Sequence, residues 1–203
     1  MIFIKRVGII IREFEENNIT FIGTRNDLFN ALNKFDVSII GIPVNIELDN
    51  VIDAINLCDG IILSGGNKFN DNDFKVVEYL YKNNIPTLGI CLGMQSIAEY
   101  FNNKKEIKVD NHYSNDLYVH KVKMNKKSLL YKIINKEEIL VNSRHHDAVP
   151  FTDMLVSATS PDGVIEGVEM PNHMFFVGVQ WHPESLDDNN SYQLLKSFIN
   201  KLK

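Results

Sequence analysis

The first half of the chain alternates two patterns. Short runs that are apolar at nearly every position (VGIII at 7–11, VSIIGIP at 37–43, GIILS at 60–64, PTLGI at 86–90) are separated by stretches with apolar residues at helical spacing. Short runs apolar on both faces predict strands of a parallel sheet covered on both sides. Between them, Leu28, Phe29, Leu32 and Phe35 predict a helix within 24–35, and Val51, Ile55 and Leu57 a short one. Phe74, Val77, Leu80 and Tyr81 predict a third, which Asp71 is placed to cap. The second half reads differently. LYVHKVKM (117–124), EILV (138–141), MLVSATS (154–160), GVIEGVE (163–169) and FFVGVQ (175–180) predict strands, with SPDG at 160–163 as one of the turns between them. They extend the sheet and add a smaller hairpin layer. An amphipathic helix over 192–202 follows.

The 203 residues suit a single α/β domain over 1–203, with no internal repeat and no low-complexity linker. A net charge of −5 argues against a broad nucleic-acid surface, so Lys104–Lys105 and Lys126–Lys127 read as solvated loop or helix-end charges. No apolar stretch approaches the roughly 20 residues that span a bilayer. Lys5 and Arg6 interrupt the apolar start, so it reads as a first strand rather than a signal peptide, and no membrane association is expected. Two cysteines make no disulfide framework, which suits a reducing, cytoplasmic setting.

One of those cysteines has an unusual frame. In PTLGICLGMQ, Cys91 separates a strand from a helix, with Gly89 and Gly93 on either side. G-x-C-x-G is the cysteine form of the nucleophile elbow, a bend that turns the reactive side chain out at the carboxyl ends of the strands. The helix start behind it favours a thiolate. Cys58, in INLCDG, has no such frame and reads as structural. A thiolate nucleophile needs a base, and the base needs an orienting group. In GVQWHPE at 178–184, His182 is placed to be the base, with Glu184 accepting its Nδ1–H. An oxyanion needs donors: the N–H of Leu92 is one, and LSGG at 63–66 offers another at the end of a neighbouring strand. The adjacent His145–His146 pair lacks chelating spacing, so neither metal nor cofactor is expected.

LSGG, GICLGMQ and WHPE, in this order and spacing, resemble the class I glutamine amidotransferase superfamily over nearly the whole chain. VNSRHHDAV (141–149) and SPDGVIEGVE (160–169) are similar to its γ-glutamyl-γ-aminobutyrate hydrolase branch, peptidase family C26. The resemblance implies a flavodoxin-like fold and cleavage of a γ-glutamyl amide to glutamate and an amine, without a synthase partner. It implies Cys91 as nucleophile, His182 as base, Glu184 as orienting acid, and Gly66 and Leu92 as oxyanion donors. Gly65, Gln95, Ser143, Arg144 and His145 would seat the glutamyl group. Leu92 stands where many of these hydrolases carry arginine, and Asp147 where glutamine is frequent. The leaving amine is open: a polyamine derivative, an amino acid, or an amine or amidate bearing phosphate or nucleotide, which Lys68 or Arg144 would meet. Two other readings are a glutaminase subunit that passes ammonia to a separate synthase, and an idle γ-glutamyl-binding protein.

Overall fold

The apolar runs form the parallel half of one ten-stranded sheet in the computed structural model, which describes residues 4–102 and 106–202. β1 (Lys5–Glu16) pairs in parallel with both β3 (Val37–Pro43) and β4 (Gly60–Leu63). β4 pairs with β5 (Thr87–Ile90), and β5 with β12 (Phe176–Val179), again in parallel. The order β3-β1-β4-β5-β12 is the flavodoxin-like order of a doubly wound sheet. Beyond β12, the sheet continues antiparallel through β11 (Ile165–Glu169), β10 (Leu155–Thr159), β7 (His120–Met124) and β8 (Glu138–Val141). The second-half strands thus extend the sheet, as their spacing predicts. The smaller antiparallel layer pairs β6 (Ile107–Lys108) with β9 (Asp147–Ala148), strands of two residues that no periodicity could reveal.

Alternation along the strands fills two cores. On one face Val7, Ile9, Ile62, Leu88 and Ile90 pack under α1 (Asn26–Leu32), α5 (Leu129–Ile134) and α6 (Asn189–Asn200). On the other, Ile10, Ile61 and Leu63 meet Val51 of α2 (Leu48–Asn56), Val76 of α3 (Asp73–Lys82) and Ile97 of α4 (Leu92–Asn102). Each such side chain, fully buried, contributes about 1.5–3 kcal/mol, so this two-sided burial is what holds the strand ends in place.

Three details differ from the sequence reading. β1 runs on to Glu16 because its outer half pairs with β2 (Ile19–Gly23). The turn residues Asn17 (φ 52°) and Asn18 (φ 63°) are left-handed, as a tight hairpin requires. Asp71 does not cap α3: the N-cap is Asn72, which makes no side-chain cap bond. Leu57 lies just past α2 and is exposed. The Lys104–Lys105 pair falls outside the described residues.

Candidate active site

β4, β5 and β12 are neighbours, and each carries one motif at its carboxyl end. Gly65–Gly66 follow β4, Cys91 follows β5, and His182 follows β12 by three residues. Residues far apart in the chain therefore converge because their strands are adjacent.

Cys91 is the single residue between Ile90 and Leu92, and its φ is 52°. A non-glycine residue held in the left-handed region is strained, and the flanking structure must over-determine it. It does. A Cβ on Gly93 would lie 2.0 Å from the Leu63 carbonyl oxygen, and one on Gly89 would lie 2.7 Å from that of Gly93. Only glycine lets the helix start so close to the strands. The Cys91 N–H donates to the Val179 oxygen at 2.9 Å, locking the bend to β12. Leu92 is the first residue of α4, so its N–H has no acceptor within the helix.

Pro183–Ser185 form one 3₁₀ turn that folds Glu184 back onto its neighbour, and Glu184 Oε1 lies 2.7 Å from His182 Nδ1. A carboxylate there accepts the Nδ1 proton and leaves Nε2 for the sulfur's side of the site. Burial alone would lower the His182 pKa. The Glu184 carboxylate and the Cys91 sulfur reverse that and push it up to about 10. The site is therefore built to hold an imidazolium beside Cys91.

The sequence reading missed three supports. Asn142 clamps the His182 backbone from both sides: its Nδ2 donates to the His182 oxygen and its Oδ1 accepts from the His182 N–H, each at 2.8 Å. Gln180, fully buried, offers its Nε2 to Cys91 Sγ at 3.6 Å. Arg12 Nε donates to the Ser64 oxygen at 3.2 Å, and Nη1 reaches Asp73 Oδ2 at 2.6 Å within a buried ion pair. This pair fixes the glycine turn from below, and a Cβ on Gly66 would lie 2.5 Å from Arg12 Cδ. Asn142 stands in VNSRHHDAV and Gln180 in GVQWHPE, but neither these nor Arg12 carries a local mark of its partner.

The expected glutamyl-side residues divide. Gln95 Nε2 donates to the Asp147 carbonyl at 2.8 Å and lies 3.1 Å from Gln180 Oε1, which ties α4 to the segment around residue 147. A Cβ on Gly65 would meet His182 Cε1 at 2.9 Å, so its bare backbone is what admits the ring. Arg144 lines the cavities on both sides of Cys91 and donates to Ser185 Oγ at 2.9 Å. Ser143 is buried and its hydroxyl is spent on the His112 carbonyl at 2.6 Å. His145 is buried while His146 is exposed and stacks on Tyr113. The His145 Nε2 reaches Glu166, where His112 and His120 also converge. The one group of described residues with metal-binding geometry lies there, assembled from positions far apart in the chain.

Two hollows meet at Cys91. One, of 580 Å³, is walled by Gln95, Lys108, Arg144 and His146. The other, of 450 Å³, lies on the His182 side and includes Arg12, Arg25, Tyr113 and Arg144 in its wall. A substrate whose scissile group sits at the sulfur would extend into both.

Peptidase C26 is the family whose model matches this chain, over residues 70–184. The chain is 27% identical to a glutamine amidotransferase-like protein of Rickettsia prowazekii, over 80% of this chain and 84% of that one. It is 30% identical to the CTP synthase of Microcystis aeruginosa over 76% of this chain, and the match spans only 35% of that enzyme. Its fold matches the glutaminase domain of the Trypanosoma brucei CTPS, with bound acivicin, at a TM-score of 0.70 and 19% identity, over 98% of this chain and 95% of that one. The chain belongs to the peptidase C26 family, within the class I glutamine amidotransferase superfamily, and so to a group of amide-bond hydrolases.

Proposed function

We propose that this C26 peptidase hydrolyses a γ-glutamyl amide to glutamate and a free amine. The observation that carries the reading is Cys91, held at a left-handed bend between two hollows, beside a histidine locked to Glu184 at 2.7 Å. The glutamyl group occupies the hollow near Gln95 and Arg144, and the amine the hollow on the His182 side. The thiolate sulfur bonds to the γ-carbonyl carbon while the Gly66 and Leu92 N–H groups hold the oxygen. The C–N bond breaks as His182 gives its proton to the departing nitrogen. His182, now neutral, takes a proton from water. The resulting hydroxide displaces sulfur from the thioester, and thiolate, imidazolium and glutamate result.

Arg25 and Arg144 in the wall of the amine-side hollow suit an anionic substituent on the leaving amine, such as a phosphate or a carboxylate. The deciding experiment measures glutamate release from glutamine, γ-glutamyl-GABA, γ-glutamyl-putrescine, γ-glutamyl amino acids and phosphate-bearing γ-glutamyl amides, with Cys91→Ala as control. Cleavage of one amide orders of magnitude faster than glutamine supports a stand-alone hydrolase. Equal activity in Cys91→Ala sinks the mechanism.

Similarity to part of a CTP synthase favours one further reading, a glutaminase that feeds ammonia to a separate synthase. Its mark is glutamine cleavage that is slow alone and rises when a partner protein is added.

A further inference from the structure

Away from Cys91, four chain segments send side chains to one buried point. Glu166, on β11, is fully buried, and His112 and His145 are 2% and 5% exposed. Glu166 Oε1 lies 3.3 Å from His112 Nδ1, 3.5 Å from His120 Nε2 and 3.6 Å from His145 Nε2. None of these three nitrogens, nor either Glu166 oxygen, has a hydrogen-bond partner among the described residues. Leaving so many buried polar atoms unpaired is costly, about 1–3 kcal/mol each, so something belongs between them.

The other ring nitrogens say what it is. His112 Nε2 lies 3.0 Å from Asp162 Oδ2, His120 Nδ1 3.2 Å from the Lys121 carbonyl, and His145 Nδ1 2.9 Å from the Asp147 carbonyl. Carbonyls and carboxylates only accept, so each of these nitrogens carries its proton outward. In the neutral ring each inward nitrogen then offers a lone pair. Metal-bound histidines are oriented in this way by outer partners. If the rings instead held Glu166 through shared protons, the N⁺–H···O⁻ contacts would close to about 2.7–2.9 Å. The spacings of His112 Nδ1 and His120 Nε2 from Glu166 Oε1, 3.3 and 3.5 Å, are close to the edge of a tetrahedron of ligands: bonds of about 2.0–2.1 Å to zinc put neighbouring ligand atoms about 3.3 Å apart.

We propose that His112, His120 and Glu166 bind a zinc ion. Two imidazoles with one carboxylate are a donor set that suits zinc, and their three donor atoms all lie within 4.8 Å of one another. The ion ties residue 112 and β7 to β11, and His145, 3.6 Å from Glu166, carries the contact on to the segment at 142–148. That segment carries Asn142, which clamps His182, so the ion braces one wall of the site from behind.

The test is metal analysis of protein grown with added zinc and purified without chelator. Wild type and Cys91→Ala are expected to retain about one zinc per chain, as a buried site would. His120→Ala, which changes the most exposed of the three ligands, is expected to lose it. Stripping wild type with a chelator should lower Tm, and added Zn²⁺ should restore it. Should His120→Ala not fold, cobalt-substituted wild type decides: tetrahedral visible bands without a thiolate charge-transfer band support the site. Metal-free wild type whose Tm ignores added Zn²⁺ overturns the proposal. So does zinc that disappears in Cys91→Ala, or a thiolate band in the cobalt protein, since the ion would then sit at Cys91.

Discussion

Glu184 and Glu166 are both buried carboxylates that face histidine, yet they are built differently. Glu184 meets one ring at 2.7 Å, a hydrogen-bond distance. Glu166 meets three rings at 3.3–3.6 Å, with no hydrogen bond. The first spacing shares a proton and orients the His182 ring. The second leaves a gap with lone pairs around it. The same two residue types therefore do opposite work, and the spacing decides which. Their supports differ too. Glu184 is brought to His182 by one local turn, whereas Glu166 meets rings from three other segments of the chain.

The contrast can be broken in several places. The largest effect should come from Cys91→Ala, which should lower glutamate release from the best γ-glutamyl amide by more than roughly 10³-fold. Its thermal unfolding should stay close to wild type, because only one small side chain is trimmed. Glu184→Gln keeps the shape and removes the charge. It should slow turnover by roughly 10²-fold, less than the loss of the nucleophile, since it weakens general acid–base catalysis without removing the thiolate. Steady-state kinetics of both variants on one substrate check the order, and a reversed order would mean that Glu184 does more than orient the ring.

Stability probes follow. Asp73→Ala leaves Arg12 buried without its partner, at a cost of about 3–5 kcal/mol in denaturant unfolding. The Gly66 turn that the arginine underlies should loosen as well, so any surviving activity should fall. Asn142→Ala removes two hydrogen bonds to the His182 backbone, worth about 1 kcal/mol each. A loss well below that would show the β12 end to be held by packing alone.

The most specific effect is on pH dependence. The His182 pKa is raised in the folded state to about 10, above its ordinary value of 6.5. Its protonation therefore contributes stability that is fully present below about pH 6.5 and is lost as pH rises through about 10. Wild-type Tm should decline over that window. Glu184→Gln should shift the decline to lower pH, because it removes the charge that most raises the pKa. An unchanged Tm profile in that variant would mean that the imidazolium owes its stability to other groups.

The meeting of Cys91, His182 and Glu184 was legible because each carries a local mark. The flanking glycines are needed wherever a helix starts against a strand end, and a two-residue step lets Glu184 fold back on His182. The parallel strands were legible because burial on both faces removes polar residues from them. β2 was missed although the Asn17–Asn18 pair is a hairpin signal, since the apolar pattern of that segment is weak and its large side chains remain exposed. Arg12 with Asp73, and Gln180 with Cys91, left no mark because their partners lie far off in the chain.

From sequence alone one can derive the fold class, the strand-to-helix bend at Cys91 and the family, because those depend on short-range spacing and on which residues avoid water. Only the tertiary structure could bring Asn142 to the back of His182, turn the Ser143 hydroxyl onto the His112 carbonyl, and set His112, His120 and His145 around Glu166. Those arrangements depend on which strands become neighbours and in what register, a choice made by the burial of the whole sheet rather than by any one segment.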